Sequence, residues 1–562
     1  MSATNLIAVF VGDGATSYSK GLTELTASTT YYYLVTAKAT NTTADASYAT
    51  SSEQSFTMLP PPRQCADGLD NDGDGAVDLN DPGCIDSADN DETNPPPASQ
   101  TSTWFRILGG PAEESAGGVA VYGGNVYISG GASASGSTKP VTIDNHSLVG
   151  GSDAFLVKYD GSSNKLWSRF FSTNNGESFN GVAADNSGNI YTAGATGGSL
   201  DDQINFGNSD ALLVKYDSDG NRIWTRIFGT ANSENLLGGV AVDPASGAVY
   251  AAGQFYNSFD GQVNAGDCDV AVVKYDSSGN RIWTRLLGSS VCDTVRAITA
   301  DSSGNVYVAG NSSGSLDGQP LVGSHDAFVA KYDSGGNKIW VRMLGSSTVE
   351  IGTSVTVDSA GSVYLAGYTY GGAALPGQVP LGSDDAFLTK YDSTGNRLWV
   401  KQFGTGASDV LWRATVDSSG NIFTVGYTTG SVGGKSNSGA RDIWITKYGS
   451  SGNQIWSNMV GSPLYDYAVA VALADPGFIY VTGTVEADMA GQTVSSPPDI
   501  FLAKFDGSTG EIAPVVAAMQ RGSRQTASVL GPSMPIPTLQ SDLALVLQSL
   551  SLLLQKLHEV LK

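Results

Sequence analysis

The chain has 562 residues, room for several domains, and carries a formal net charge of −24. Only 15% of its residues are charged and 70 are glycine, so Ser, Thr, Gly and Asn make up most of the polar surface. A phosphate backbone wants a basic patch, which excludes nucleic acid as a partner. The charge suits divalent cations and a saline exterior, with plain solubility as the alternative. No run reaches the ~20 apolar residues of a membrane span.

Residues 1–59 begin with no basic flank, and Leu6–Val11 is too short for a signal peptide. The chain therefore reads as a mature or truncated form of an exported protein. Leu25, Ala27, Thr29, Tyr31, Tyr33, Val35 and Ala37 alternate as a β segment does. Their offsets resemble the later part of a fibronectin type III domain, which implies that Tyr31 is its corner tyrosine. The segment falls short of the ~100 residues of a full sandwich. Either it begins mid-domain or a partner supplies the missing strands.

Residues 60–98 form a linker between two proline runs, Pro60–Pro62 and Pro95–Pro97, which act as stiff spacers. Counting from Asp70, carboxylates fall at positions 1, 3, 5, 9 and 12 (Asp70, Asp72, Asp74, Asp78, Asp81), with Gly75 at position 6. That is the spacing of a calcium loop, in which the Ala76 carbonyl faces the ion at position 7. Asp81 stands where an EF-hand has glutamate, and Pro82 bars an exit helix. The motif resembles the helix-less calcium motifs of thrombospondin type 3 repeats, and Ca2+ is the expected cofactor. Cys65 and Cys84 flank it and are expected to pair.

Residues 99–513 are governed by a period. Trp104, Trp167, Trp224, Trp283, Trp340, Trp399 and Trp456 lie 57 to 63 residues apart. One unit shows four short strands: Val240–Val242, Val249–Gly253, Asp269–Tyr275 and Arg281–Arg285. The second strand carries Tyr127, Tyr191, Tyr250, Tyr307, Tyr364, Phe423 or Tyr480, and the third ends in Lys-Tyr or Lys-Phe. Asp-Ser-Ser-Gly-Asn turns (276–280, 301–305, 417–421) place Asp where it accepts backbone N–H groups and Gly where φ is positive. First-to-second and third-to-fourth connections are thus tight. The long second-to-third loops share the opposite face, which is the expected binding face.

These motifs, Val-Asp-Ser-Ser-Gly-Asn-Val-Tyr-Val-Ala-Gly and Lys-Tyr-Asp-x-x-Gly-Asn-x-x-Trp, resemble the seven-bladed β-propeller repeat family of secreted microbial proteins over residues 103–512. The resemblance implies an all-β, seven-bladed propeller of four-stranded blades and an extracellular setting, and no particular activity. Tyr122-Gly-Gly replaces the Asp turn in the first unit, and no Trp strand follows Lys504-Phe505 in the last. If 102–108 pairs with 499–506, the ring closes and no edge is left open. Cys268 begins a third strand and Cys292 follows the fourth, so a bridge on one face of a single blade is expected, in an oxidising compartment.

After a linker at 514–538 the composition changes again. Ser541 can cap a helix over 539–562, and Leu543, Val546, Leu550, Leu553, Leu557 and Val560 follow a heptad seam. This amphipathic C-terminal helix is expected to self-associate, giving a homo-oligomer or surface array; docking onto a neighbouring subunit or its own propeller is the alternative.

No His-Glu-x-x-His, Gly-x-Ser-x-Gly or phosphate-loop pattern occurs, and His146, His325 and His558 are scattered. The recurring carboxylates read as turn formers, and the Trp-x-Arg pairs as packing between blades, with a sugar platform as the alternative. Trp412 and Trp444 stand outside the series of seven and are the candidates for ligand contact. The leading expectation is a non-enzymatic, structural or adhesive cell-surface protein. The alternatives are a carbohydrate-binding propeller and a secreted polysaccharide hydrolase or lyase.

Overall fold

The computed structural model describes residues 103–109, 112–133, 142–144, 146–474, 477–495 and 497–512, and the backbone of five short strands before them. Of those five, Thr30–Tyr33 pairs parallel with Leu6–Ile7 and antiparallel with Gln54–Thr57, while Thr36–Ala39 pairs with Ser47–Thr50. The calcium loop Asp70–Asp81, Cys65, Cys84 and the heptad Leu543–Val560 lie outside the described residues.

Seven antiparallel four-stranded sheets follow, and their first strands, Glu113–Tyr122, Glu177–Ala184, Asn235–Val242, Asp293–Ala300, Val349–Val357, Asp409–Val416 and Tyr467–Ala474, ring a central channel. The protein is an all-β, seven-bladed propeller. Because blades pack face to face, the middle strands are covered on both sides and read as unbroken apolar runs. Asp210–Tyr216 and Ile190–Thr196 are buried at every position. The outermost strands keep exposed residues at their start, as in Arg281–Leu287. The last blade takes its fourth strand from the other end of the propeller. Trp104–Ile107 pairs antiparallel with Asp499–Asp506, in register Trp104 with Lys504 and Ile107 with Phe501. Phe105 is fully buried there and stacks on Phe501 at 5.2 Å.

The tight-turn face shows why the repeat conserves its punctuation from unit to unit. Asp276 Oδ1 accepts the N–H groups of Ser278 (2.9 Å) and Asn280 (2.8 Å), and Asn280 Nδ2 donates to Asp276 Oδ2. These donors hold the Asp276 carboxyl below its ordinary value. Gly279 has φ 81°, and a β-carbon there would lie 2.7 Å from Arg226 Nη2. The crowding comes from the neighbouring blade. Lys215 Nζ and Trp224 Nε1 both donate to the Ser277 carbonyl, at 2.9 and 3.2 Å, and Arg226 Nε donates to the Gly279 carbonyl at 2.6 Å. Arg226 also lies 5.2 Å over the Trp224 ring. The Lys, Trp and Arg of one blade therefore clamp the turn of the next, and Trp167/Arg169, Trp283/Arg285 and Trp340/Arg342 repeat the clamp.

At the long-loop face a different joint links the blades. Each third strand lies alongside the residue that enters the next first strand, through parallel bridges such as Ser209 with Ser233 and Asp384 with Ser408. Cys268 and Cys292 occupy this same position between blades 3 and 4. They are bridged, with Cα atoms 4.4 Å apart, and Asp293 N–H donates to the Cys268 carbonyl at 2.8 Å. The disulfide thus joins two blades, not two strands of one blade, because the first strand of blade 4 runs past the start of the third strand of blade 3. It indicates a non-reducing environment.

Beneath this joint sits a second set of carboxylates that the turn-forming reading did not separate from the first. Third strands carry Asp153, Asp210, Asp269, Asp326, Asp385, Asp442 and Asp499; at or just before the starts of the following first strands stand Glu177, Glu234, Asp293, Glu350, Asp409 and Asp466, with Glu114 closing the ring. All are buried. His146 lies in a short strand and bonds Asp153 at 2.6 Å.

Candidate ligand-binding site at the channel mouth

Every first strand breaks step once with its neighbour. The register skips Gly117, Asn180, residues 236–238, Arg296, Thr353, Trp412 and Val469 in successive blades. A bulge drops one residue from the ladder and re-aims its side chain. Here the backbone event repeats while the residue changes, so a symmetric scaffold presents an asymmetric set of side chains around its axis. Small residues, Gly117, Gly118, Gly181 and Gly239, leave a channel of about 220 Å³ whose wall in blade 6 includes Arg413.

Arg413 donates from Nη1 to the carbonyls of Thr353 (2.7 Å) and Trp412 (3.0 Å). Burial lowers its guanidinium from the ordinary value to about 10, and the like charge of Arg296 adds to the effect. Arg296 Nε is buried without a hydrogen-bond partner. Among the described residues no ion pair engages either arginine. Two neighbouring cations without an acid, in a chain of net charge −24, are chemically suited to an anion.

Aromatic rings cluster at the long-loop ends of blades 5 to 7, with Tyr368 in electrostatic reach of Arg296. Tyr368 lies edge-on to Trp412 at 6.1 Å and to Tyr370 at 5.2 Å. Arg441 sits 4.3 Å over Tyr427 and 5.5 Å over Tyr465. Val349, Ile351, Val410 and Tyr467 pack with Tyr368, Trp412 and Tyr427. Burial raises the Tyr368 and Tyr427 hydroxyls above their ordinary value, so both remain donors at physiological pH. Tyr370 and Tyr465 are each 46% exposed, and the Trp412 indole N–H is buried without a partner. The rings offer faces and the polar tips offer donors, the combination that fixes a ligand's orientation in a mostly apolar pocket.

Of the two tryptophans singled out from sequence, Trp412 belongs to this cluster. Trp444 does not. It is 3% exposed, donates to Ser457 Oγ at 2.8 Å and packs edge-on against Phe403. It occupies the third-strand position filled by Phe155, Phe328, Phe387 and Phe501 elsewhere, so it is a larger version of a repeated core residue. Arg296, Arg413, Arg441, Tyr368 and Tyr427 escaped the sequence reading. The signal was present: after the repeated second-strand glycine stand Gly131, Ala195, Gln254, Asn311, Tyr368, Tyr427 and Thr484, a varying position inside constant surroundings.

Residues 282–317 and 339–372 match the family model of the SBBP beta-propeller repeat. The regulatory protein FlaEY of Caulobacter vibrioides is 31% identical over 217 residues, which cover 34% of this chain and 22% of that protein. An uncharacterized WD repeat-containing protein of Acanthamoeba polyphaga mimivirus is 28% identical over 163 residues, covering 24% and 12%. The chain thus spans less than a quarter of either relative. Among solved structures, the Pan2 WD40 domain of Neurospora crassa has 9% identity and a TM-score of 0.38, covering 71% of this chain and 95% of that one. The polysaccharide lyase Uly1 has 12% identity and a TM-score of 0.40, covering 74% and 96%. The chain is a seven-bladed propeller carrying SBBP beta-propeller repeats.

Proposed function

We propose that this protein is a non-enzymatic binding propeller of the extracellular or cell-surface space, and that it holds an anionic saccharide at the channel mouth of blades 4 to 7. The observation that carries the reading is the pairing of Arg296 and Arg413, free of acids, with the Tyr368–Trp412 and Tyr427–Arg441 clusters on one arc of the ring. A planar guanidinium matches the two oxygens of a uronic-acid carboxylate. Aromatic faces pack on sugar rings, and the hydroxyls of the exposed Tyr370 and Tyr465 suit sugar hydroxyls. The acidic remainder of the molecule repels long polyphosphates at low salt, which favours a short acidic sugar over nucleic acid. Self-association through Leu543–Val560 would make such binding multivalent and adhesive, with the Asp70–Asp81 calcium loop as part of the spacer behind it.

The test is calorimetry with uronic-acid oligosaccharides and their neutral counterparts, on the full chain and on Arg296→Met and Arg413→Met. The acidic sugars should bind, the neutral ones should bind at least tenfold more weakly, and each substitution should cost at least tenfold. Equal binding of neutral sugars would overturn the anionic assignment. Release of shorter products during the titration would overturn the non-enzymatic one.

A further inference from the structure

The buried acids beneath the long-loop joints pose a separate problem of charge. At the junction of blades 2 and 3, Asp210 and Glu234 are both fully buried. Asp210 Oδ2 accepts the Phe206 N–H at 2.8 Å, and Glu234 Oε2 accepts the Thr230 N–H at 2.8 Å while its other oxygen takes the Thr230 hydroxyl. Asp210 Oδ1 has no donor. It and Glu234 Oε2 both lie 2.6 Å from the point where a β-carbon on Gly229 would sit, so the two oxygens converge on one place, which only glycine leaves open. At the junction of blades 3 and 4, Asp269 Oδ1 and Asp293 Oδ1 are likewise buried without donors, with Asp269 crowding Gly288; at that of blades 6 and 7, Asp442 Oδ1 is buried without a donor and crowds Gly461, in the same joint as the fully buried Asp466.

Two ionised carboxylates in one dry pocket, with no cation beside them, are strongly unfavourable. A hard divalent ion would need six to eight oxygens, most of these oxygens already accept hydrogen bonds, and among the described residues no three His, Cys, Asp or Glu side chains come together as a metal site. One proton answers both difficulties: it cancels one charge and gives the orphan oxygen a hydrogen bond. We propose that Asp210/Glu234, Asp269/Asp293 and Asp442/Asp466 each hold a single shared proton at neutral pH, so that the blade junctions are closed by carboxyl–carboxylate pairs. The other groups facing each pair are neutral: Thr230 and the backbone of Phe206 and Gly207 at the first, Ser289, Ser312 and the backbone of Ala265 and Gly266 at the second, Ser462, Ser438 and the backbone of Gly439 and Glu486 at the third. Burial raises these carboxyls above their ordinary value, and the partner acid adds to the effect at Glu234, Asp269 and Asp466.

The sign of the consequence follows. A group whose pKa is raised by folding contributes stability below its unfolded value, near 4, and loses it as pH rises through the folded value. Each retained proton makes the unfolding constant rise about tenfold per pH unit across that window. The test is equilibrium unfolding of the full chain from pH 5 to pH 9, with and without EDTA, on the native sequence and on the Asp210→Asn, Asp269→Asn, Asp442→Asn triple variant. Asn keeps the shape and supplies an N–H where the proton would be. The native protein should lose stability as pH rises, EDTA should not change that slope, and the variant should show a flatter slope and exceed the native protein at pH 9. A native stability that is flat or rises with pH would overturn the proposal whether or not the variant folds. An EDTA-sensitive slope in the native protein, or a variant weaker than native at pH 9, would overturn it as well.

Discussion

Substituting Phe105 by alanine tests the closure of the ring where the two ends of the propeller pair. Phe105 is fully buried, stacks on Phe501 with planes 11° apart, and packs among Val425, Ile443, Ile445, Ile479 and Val481. Removing such a ring costs about 3–5 kcal/mol, the transfer term plus the cavity left behind. A domain of this kind is stable by about 5–15 kcal/mol, so the variant should fold but sit near the edge. The stacking share should emerge as a coupling of about 0.5–1.5 kcal/mol in a double-mutant cycle with Phe501→Ala. The effect should also be local. Trp104–Ile107 is the only covalent stranger in its blade, tied by four paired residues and the Trp104 N–H to the Gly161 carbonyl. Its loosening should open blade 7 before the others. Urea unfolding measures the first quantity. Hydrogen exchange followed by mass spectrometry measures the second, and should show faster exchange in Phe478–Val485 and Asp499–Asp506 with Val249–Phe255 unchanged. A loss below about 1 kcal/mol, or equal acceleration in blade 3, would refute the closure argument.

Three further outcomes are expected. Replacing Cys268 and Cys292 by serine removes a cross-link spanning 24 residues, which chain entropy puts at about 3.5 kcal/mol, readable as a lower urea midpoint with an unchanged ring by circular dichroism. Trp283→Phe should cost about 1 kcal/mol, because Lys274 still donates to the Ser334 carbonyl at 2.8 Å, whereas Trp283→Ala should cost about 3–5 kcal/mol by thermal unfolding. Chelation should raise protease cleavage within residues 65–84 while the propeller keeps its melting temperature, as a calcium loop there predicts.

The ring was legible because its determinants recur: one Trp per blade, one Asp-x-x-Gly-Asn turn, one Lys-Tyr pair. The missing eighth Trp pointed to Trp104 as the closing strand, and Trp104–Ile107 fills that place. What escaped lies where the alternation fails. The first strand of blade 3 was read from Val240, but it begins at Asn235, and the register break across residues 236–238 hid its start. The start of blade 4 is masked by the same kind of register break, so Glu234 and Asp293 were not separated from the turn-forming acids, and Cys292 was placed in the same blade as Cys268 and not across the joint from it. The binding site escaped for the opposite reason. Its residues break the repeat at positions where the backbone keeps it, and a reading tuned to recurrence passes over Arg296, Arg413, Tyr368 and Tyr427. Trp412 and Trp444 were noticed because both stand outside the series of seven; Trp412 joins the aromatic cluster, and Trp444 fills a repeated core position.

The most direct test of the binding account is a crystal structure of the full chain with a uronic-acid oligosaccharide. The account predicts the sugar carboxylate within hydrogen-bond reach of Arg296 and Arg413, with a sugar ring against Trp412 or Tyr370. An oligosaccharide bound on another arc of the ring or on the tight-turn face, with the mouth at blades 4 to 7 empty, would contradict it.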